Sequence, residues 1–222
     1  MEYIFFVLLS TLEGFSVILL GLILFRYRFK SVQVYLKCVL GGLLMATASL
    51  YFNKIGISYM STISQIVILI LTYKVLFYKS MLSSALITAT SYLIFGAIQG
   101  LFIVVLMLNN LVKTADLQPF TSDGYAIQFF SSMIIIIIVF IIKRLNEGFS
   151  FDPHERKGVN FKYDNKMLWF LITLFLVSVI SFYSEYKAFM NLEAFAILLS
   201  IVVIFSISLL VINIKREQED SK

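Results

Sequence analysis

The chain has 222 residues, of which 60% are hydrophobic and only 14% charged, against about a quarter charged in an ordinary soluble domain. That balance excludes a fold whose main solvent is water. The net charge of +5 does not describe a nucleic-acid surface either, because the basic residues stand in short clusters between apolar stretches.

A helix that crosses a bilayer needs about 20 mainly apolar residues, and open sheets would leave unpaired backbone groups in lipid. Barrel strands would alternate apolar and polar residues over about ten positions, whereas Tyr3 to Leu24 and Ile197 to Ile212 are apolar on nearly every side. The expected fold is therefore all-α, a polytopic membrane bundle of about seven transmembrane helices over residues 1–214 with a cytoplasmic tail at 215–222. In chain order the expected spans are Tyr3 to Leu24, Cys38 to Phe52, Ser58 to Phe77, Leu82 to Leu108, Ile127 to Ile142, Met167 to Tyr183 and Met190 to Ile214. The N-terminus lacks the basic start and small-residue cleavage site of a secretory signal, so the first span is expected to stay in the mature protein.

Charge decides the orientation. With the N-terminus outside and the C-terminus in the cytoplasm, all but Lys54, Lys113 and Lys187 of the 18 Lys and Arg residues fall on the cytoplasmic side, where such residues are retained. Little protein is left outside the spans: an outer loop from Asn109 to Ala126, an inner loop from Lys143 to Lys166 and the tail. None can bury a core of its own. In the outer loop, Gln118-Pro119-Phe120 and Ser122-Asp123-Gly124 read as two turns that hold an aromatic near the surface.

The residues that could carry chemistry are few. His154, the single histidine, follows a proline in the inner loop and reads as solvated. Cys38, the single cysteine, has no sequence relation to it that would suggest a nucleophile and base pair. No Walker-type glycine loop, zinc spacing or zinc-protease HExxH is present, and Gly41-Gly42 sits inside an apolar run. No enzyme, no catalytic residue, no metal site and no cofactor is expected.

Glu13 is the informative polar residue, because about ten residues at 1.5 Å each place it near the middle of its span. An ionisable group there is a site hypothesis, and Gln65 and Gln99 are its expected partners. Two roles stand open: a polar cluster that fastens helices together, or ligand or proton chemistry. Asn191 and Glu193 lie nearer the outer end of the last span. Small residues at helical spacing suggest close helix contact, with Ala85, Ala89, Gly96 and Gly100 near one face and Gly42 with Ala46 repeating the pattern. Such a face serves internal packing or a homodimer.

The first span, written Leu12-Glu13-Gly14-Phe15 and ending Leu24-Phe25-Arg26, is followed by several short-looped helices and a last span running into Lys215-Arg216-Glu217-Gln218-Glu219. This layout resembles the N-terminal membrane region of peptide-sensing histidine kinases of the accessory gene regulator type from Gram-positive bacteria. The resemblance covers nearly the whole chain as layout and texture. It implies a multi-pass sensor in a bacterial cytoplasmic membrane that recognises an extracellular peptide, with a role in quorum sensing through a two-component system. The kinase half does not follow in this sequence, so the resemblance implies either a sensor-like protein that works through a partner, such as a histidine kinase, or a receptor half detached from its catalytic half. On this reading a peptide or lipid-like ligand meets the outer loop near Phe120 and Tyr125. A second reading is a small-molecule transport component whose site lies among Glu13, Gln65 and Gln99 and whose partner is a transport ATPase. A third is a non-catalytic membrane scaffold.

Overall fold

The computed structural model describes residues 2–27, 31–112 and 120–145, together with positions 200, 203, 204 and 207. Every regular element among these residues is helical. The expected spans from Met167 to Tyr183 and from Met190 to Ile214, with His154, Asn191, Glu193 and the tail, lie outside them or include only those isolated positions.

Helix α1 runs Glu2–Leu24. Its second half, Val17 to Leu24, is buried without interruption, because α1 packs against three other helices. That setting explains a sequence that is apolar all round. The helix closes on Arg26, whose φ is 49°. Arg26 N donates to Ile23 O at 3.0 Å and Tyr27 N to Leu22 O at 2.9 Å, the Schellman closure that usually employs glycine.

Helix α2, Val32–Ile55, is longer at both ends than the expected Cys38 to Phe52. Caps set its limits rather than hydrophobicity. Ser31 accepts from Gln33 N at 3.1 Å, and Gly56, with φ at 83°, supplies the left-handed closing residue. Lys37 and Lys54 therefore ride on the helix instead of ending it.

Helix α3, Ser58–Leu71, continues into a π-helical turn, Thr72–Leu76. After Ser80, which accepts from Ser83 N at 3.2 Å, α4 runs Met81–Leu108. Helix α5, Ser122–Leu145, corrects the expected loop: Ser122-Asp123-Gly124 is its first turn and not a reverse turn. Thr121 caps it by accepting from Gly124 N at 3.1 Å, and Asp123 sits favourably at the positive end of the helix dipole.

Four of these helices are long and apolar enough to cross a membrane; the third, Met60–Leu76, is apolar but shorter. Helix α1 touches α2, α4 and α5, while α3 packs between α2 and α4. Ile18, Leu20, Leu69, Tyr73, Ile87 and Ile135 are fully buried at the centre. The outer faces carry exposed Leu36, Val39, Leu43, Val105, Ile137 and Phe140, an apolar surface of the kind that meets lipid or another apolar partner.

The helices alternate in direction, so the bundle has two chemically different ends. One gathers Glu2, Tyr3, Lys54, Phe120 and Tyr125. The other gathers Arg26, Lys37, Lys74, Lys79, Lys143 and Arg144. Tyr125 Oη donates to Glu2 O at 3.1 Å and ties the first end together. Lys37 Nζ donates to Leu76 O at 2.7 Å and ties the second.

Candidate functional site

Glu13 lies midway along α1 and is half-buried. The side-chain amide of Gln99, on α4, is its hydrogen-bond partner. Gln99 Nε2 also lies 3.5 Å from Ser131 Oγ on α5, so one amide reaches partners on two helices. Ser131 Oγ in turn donates to Ile127 O at 2.7 Å. At about 1.5 Å per residue, Glu13, Gln99 and Ser131 each stand roughly 14–17 Å from the same end of the bundle. One turn before Ser131, Gln128 Oε1 is buried with no hydrogen-bond partner among the described residues.

Gln65 is not part of this cluster's hydrogen bonding. Its Oε1 accepts from Tyr92 Oη at 3.2 Å, which links α3 to α4 instead. Gln65 on α3 turns to α4, while Gln99 on α4 turns to α1 and α5, a matter of rotational phase that hydropathy does not report.

Phe120 and Tyr125 do come together, at the start of α1. The Phe120 ring stacks on Phe6 with centroids 4.8 Å apart and meets Tyr3 edge-on at 5.7 Å. It takes a φ of 71° to do so, a conformation costly for a residue with a Cβ. Lys54 Nζ sits 5.8 Å from the Tyr3 centroid on α2's last turn. The result is a clamp that fastens the entry to α5 onto the first turns of α1.

Beside the clamp, between the end of α4 and the start of α5, is a cavity of about 320 Å³ lined by Phe102, Leu106, Val112, Ala126, Ile127 and Phe130, with Asp123 among them. A concave apolar site with one convergent charged group has the usual composition of a small-ligand pocket.

The small residues divide. A Cβ on Gly42 would stand 2.6 Å from Thr11 O, and one on Gly14 would stand 2.8 Å from Gly42 Cα, so α1 and α2 touch backbone to backbone there. Ala46, one turn on, is fully buried. On α4, Gly100 is buried and Ala85 and Ala89 are half-buried. A Cβ on Gly96 would meet nothing within 4 Å among the described residues.

Sequence reasoning passed over Tyr73. Its ring is wholly buried, its Oη donates to Ile18 O at 3.2 Å, and Ser91 is a further hydrogen-bond partner. The opening that admits the hydroxyl is Gly21, where any Cβ would collide with it. A glycine in an otherwise bulky apolar helix was the available signal. Cys38 is buried and free. No group of three or more His, Cys, Asp or Glu residues that could hold a metal occurs among the described residues. No protein family, no curated protein and no solved structure matches this chain.

Proposed function

We propose that the chain is a multi-pass membrane sensor of about seven spans, with its N-terminus outside and its basic end in the cytoplasm. Its ligand is an amphipathic molecule, a peptide or a lipid-like compound, taken up at the outer end between α4 and α5. Signalling passes through helix movement to a cytoplasmic or membrane partner, without catalysis by this chain. The observation that carries this reading is the apolar cavity adjoining the Phe120 and Tyr125 clamp. A molecule lodged there meets α4 and α5 beside the contacts that hold α1. A ligand shifts such an arrangement only if it favours one state over another.

The test is mild detergent extraction of tagged protein from its native membrane, with mass spectrometry of what stays bound. Ala126→Trp, which fills the cavity from its rim, should lose a small ligand that the unaltered chain retains. Equal retention by both would refute the site. Recovery of a signalling partner would support the receptor role.

Glu13 favours a second reading, a subunit that binds a small molecule for a transport ATPase. An ionisable residue at the bilayer midplane is expensive to keep, and here it is held to an amide on another helix. Glu13→Gln should then alter uptake while the amount of protein in the membrane holds steady. Unchanged uptake would leave Glu13 as a helix fastener only.

A further inference from the structure

One acceptor near the middle of the bundle goes unserved. At about 100° per residue, Gln128, Ser131, Ser132, Ile135 and Val139 fall within one narrow arc of α5. The last four are buried. The Gln128 Oε1 atom is buried as well, with no hydrogen-bond partner among the described residues. Gln128 therefore turns its amide into the bundle, where an unpaired carbonyl oxygen lowers stability and calls for an explanation.

The neighbouring groups do not supply a hydrogen. Ser131 Oγ donates to Ile127 O and Ser132 Oγ to Gln128 O, each at 2.7 Å, which commits both hydroxyl hydrogens to the backbone and leaves the lone pairs. The Gln99 amide turns to Glu13 and Ser131. A Glu13 carboxylate only accepts. Helices α1 and α5 run in the same direction, and side chains tilt towards the N-terminus of their helix. The Glu13 carboxylate is thereby carried about one turn outward, from the level of Ser131 to that of Gln128. Two helices bring a carboxylate, an amide oxygen and a hydroxyl oxygen to one depth, and Gln99 on α4 braces the first and the last.

We infer that these residues form a site for a monovalent metal cation, with the Glu13 carboxylate, Gln128 Oε1 and Ser131 Oγ as its oxygen ligands. A surplus of acceptors recognises a cation. One positive charge balances one carboxylate, so the occupied site is neutral where net charge is expensive, and a divalent ion would leave charge over. An organic ammonium ion needs room for its body, and the cavity between α4 and α5 is lined by none of the three ligands. The inference rests on Glu13 as a binding group and names what it binds.

The test is thermal unfolding of the detergent-purified full chain in sodium, potassium or choline chloride at equal concentration. Choline carries the same charge but is too large to enter. Sodium or potassium should raise the midpoint saturably above choline, as a ligand of the folded state does. Glu13→Gln removes the charge and keeps a partner for Gln99, while Gln128→Leu removes the unserved acceptor. Each should raise the salt concentration needed for half the effect about tenfold, the loss of one contact to a charged group. In choline, Gln128→Leu should be at least as stable as the unaltered chain, because an apolar group replaces an unpaired polar one; a glutamine that only fastened helices would be missed in every salt. Gln65→Leu, which breaks the pairing with Tyr92, should keep the cation response. Equal midpoints in the three salts, or a rise that survives Glu13→Gln and Gln128→Leu, would overturn the site. Uptake unchanged by Glu13→Gln, beside an intact cation response in the unaltered chain, would remove the transport reading and leave the site standing.

Discussion

Gly42→Ala should drive α1 and α2 apart. The new Cβ would sit 2.6 Å from Thr11 O and 2.9 Å from Phe15 N. Ordinary contact begins near 3.4 Å, so the axes must separate by about 0.8 Å, and both obstacles are backbone atoms that cannot swing aside. Overpacking of this kind costs about 1–3 kcal/mol. Alanine regains about 1 kcal/mol of helix propensity over glycine, which blurs a single measurement. Gly96→Ala removes that ambiguity, because its Cβ meets nothing within 4 Å among the described residues while the propensity gain is the same. The difference between the two variants is then the steric term alone, about 1–3 kcal/mol. Denaturant titration of the detergent-purified protein, followed by far-ultraviolet circular dichroism, reads it. Gly42→Ala should unfold at lower denaturant than the unaltered chain and Gly96→Ala at equal or higher. If both variants move together, the backbone contact between α1 and α2 is not as described.

Gly21→Ala should destabilise by thrusting a methyl at the Tyr73 hydroxyl and to 2.9 Å from Ile87 Cγ2. Tyr73→Phe alone should cost about 1 kcal/mol for its lost hydrogen bond, and the double variant should cost less than the sum, since the two share one contact; strict additivity would count against it. Glu13→Leu should lower stability by about 0.6 kcal/mol or more, the usual size of an interhelical hydrogen bond in a membrane, and Glu13→Gln should recover most of it by keeping a partner for Gln99. Equal losses in the two would argue against the hydrogen bond. Thr121→Ala removes the α5 cap and should cost about 1 kcal/mol, seen as faster hydrogen exchange at the amides of 122–125; unaltered exchange there would show that the clamp, and not the cap, holds the helix start.

How much of this was legible beforehand varied with the physics involved. The ends of α1 and α4 were readable because long uninterrupted apolar runs stop at polar residues. The ends of α2 and α5 were not, since Ser31, Gly56 and Thr121 act through local hydrogen bonds that extend a helix past its apolar stretch. The pairing of Glu13 with Gln99 follows from matching depths along two helices. That Gln65 turns to Tyr92 depends on how α3 is rotated, which a sequence with apolar residues on all sides leaves undetermined. Gly42 stood out as a small residue, but its partner at Gly14 belongs to another helix and only the packed bundle names it. The opposition of a basic end and a clamp end was visible as charge counts, whereas the seating of Lys37 and Lys79 on aromatic rings needed the fold.

The π-helical turn at Thr72–Leu76 gives the third helix one place where its length can change without cost to its facing. Its wider winding uses one more residue than an α-helical turn to cover the same ground. Removing Lys74 or Val75 would let the turn tighten to α-helical winding, so that Tyr73 keeps its place beneath Gly21 and Phe77 and Tyr78 keep theirs beside Lys37. The same deletion in the α-helical part, Ser58–Leu71, would carry everything after it around by about 100° and part the buried half of the helix from the charged end.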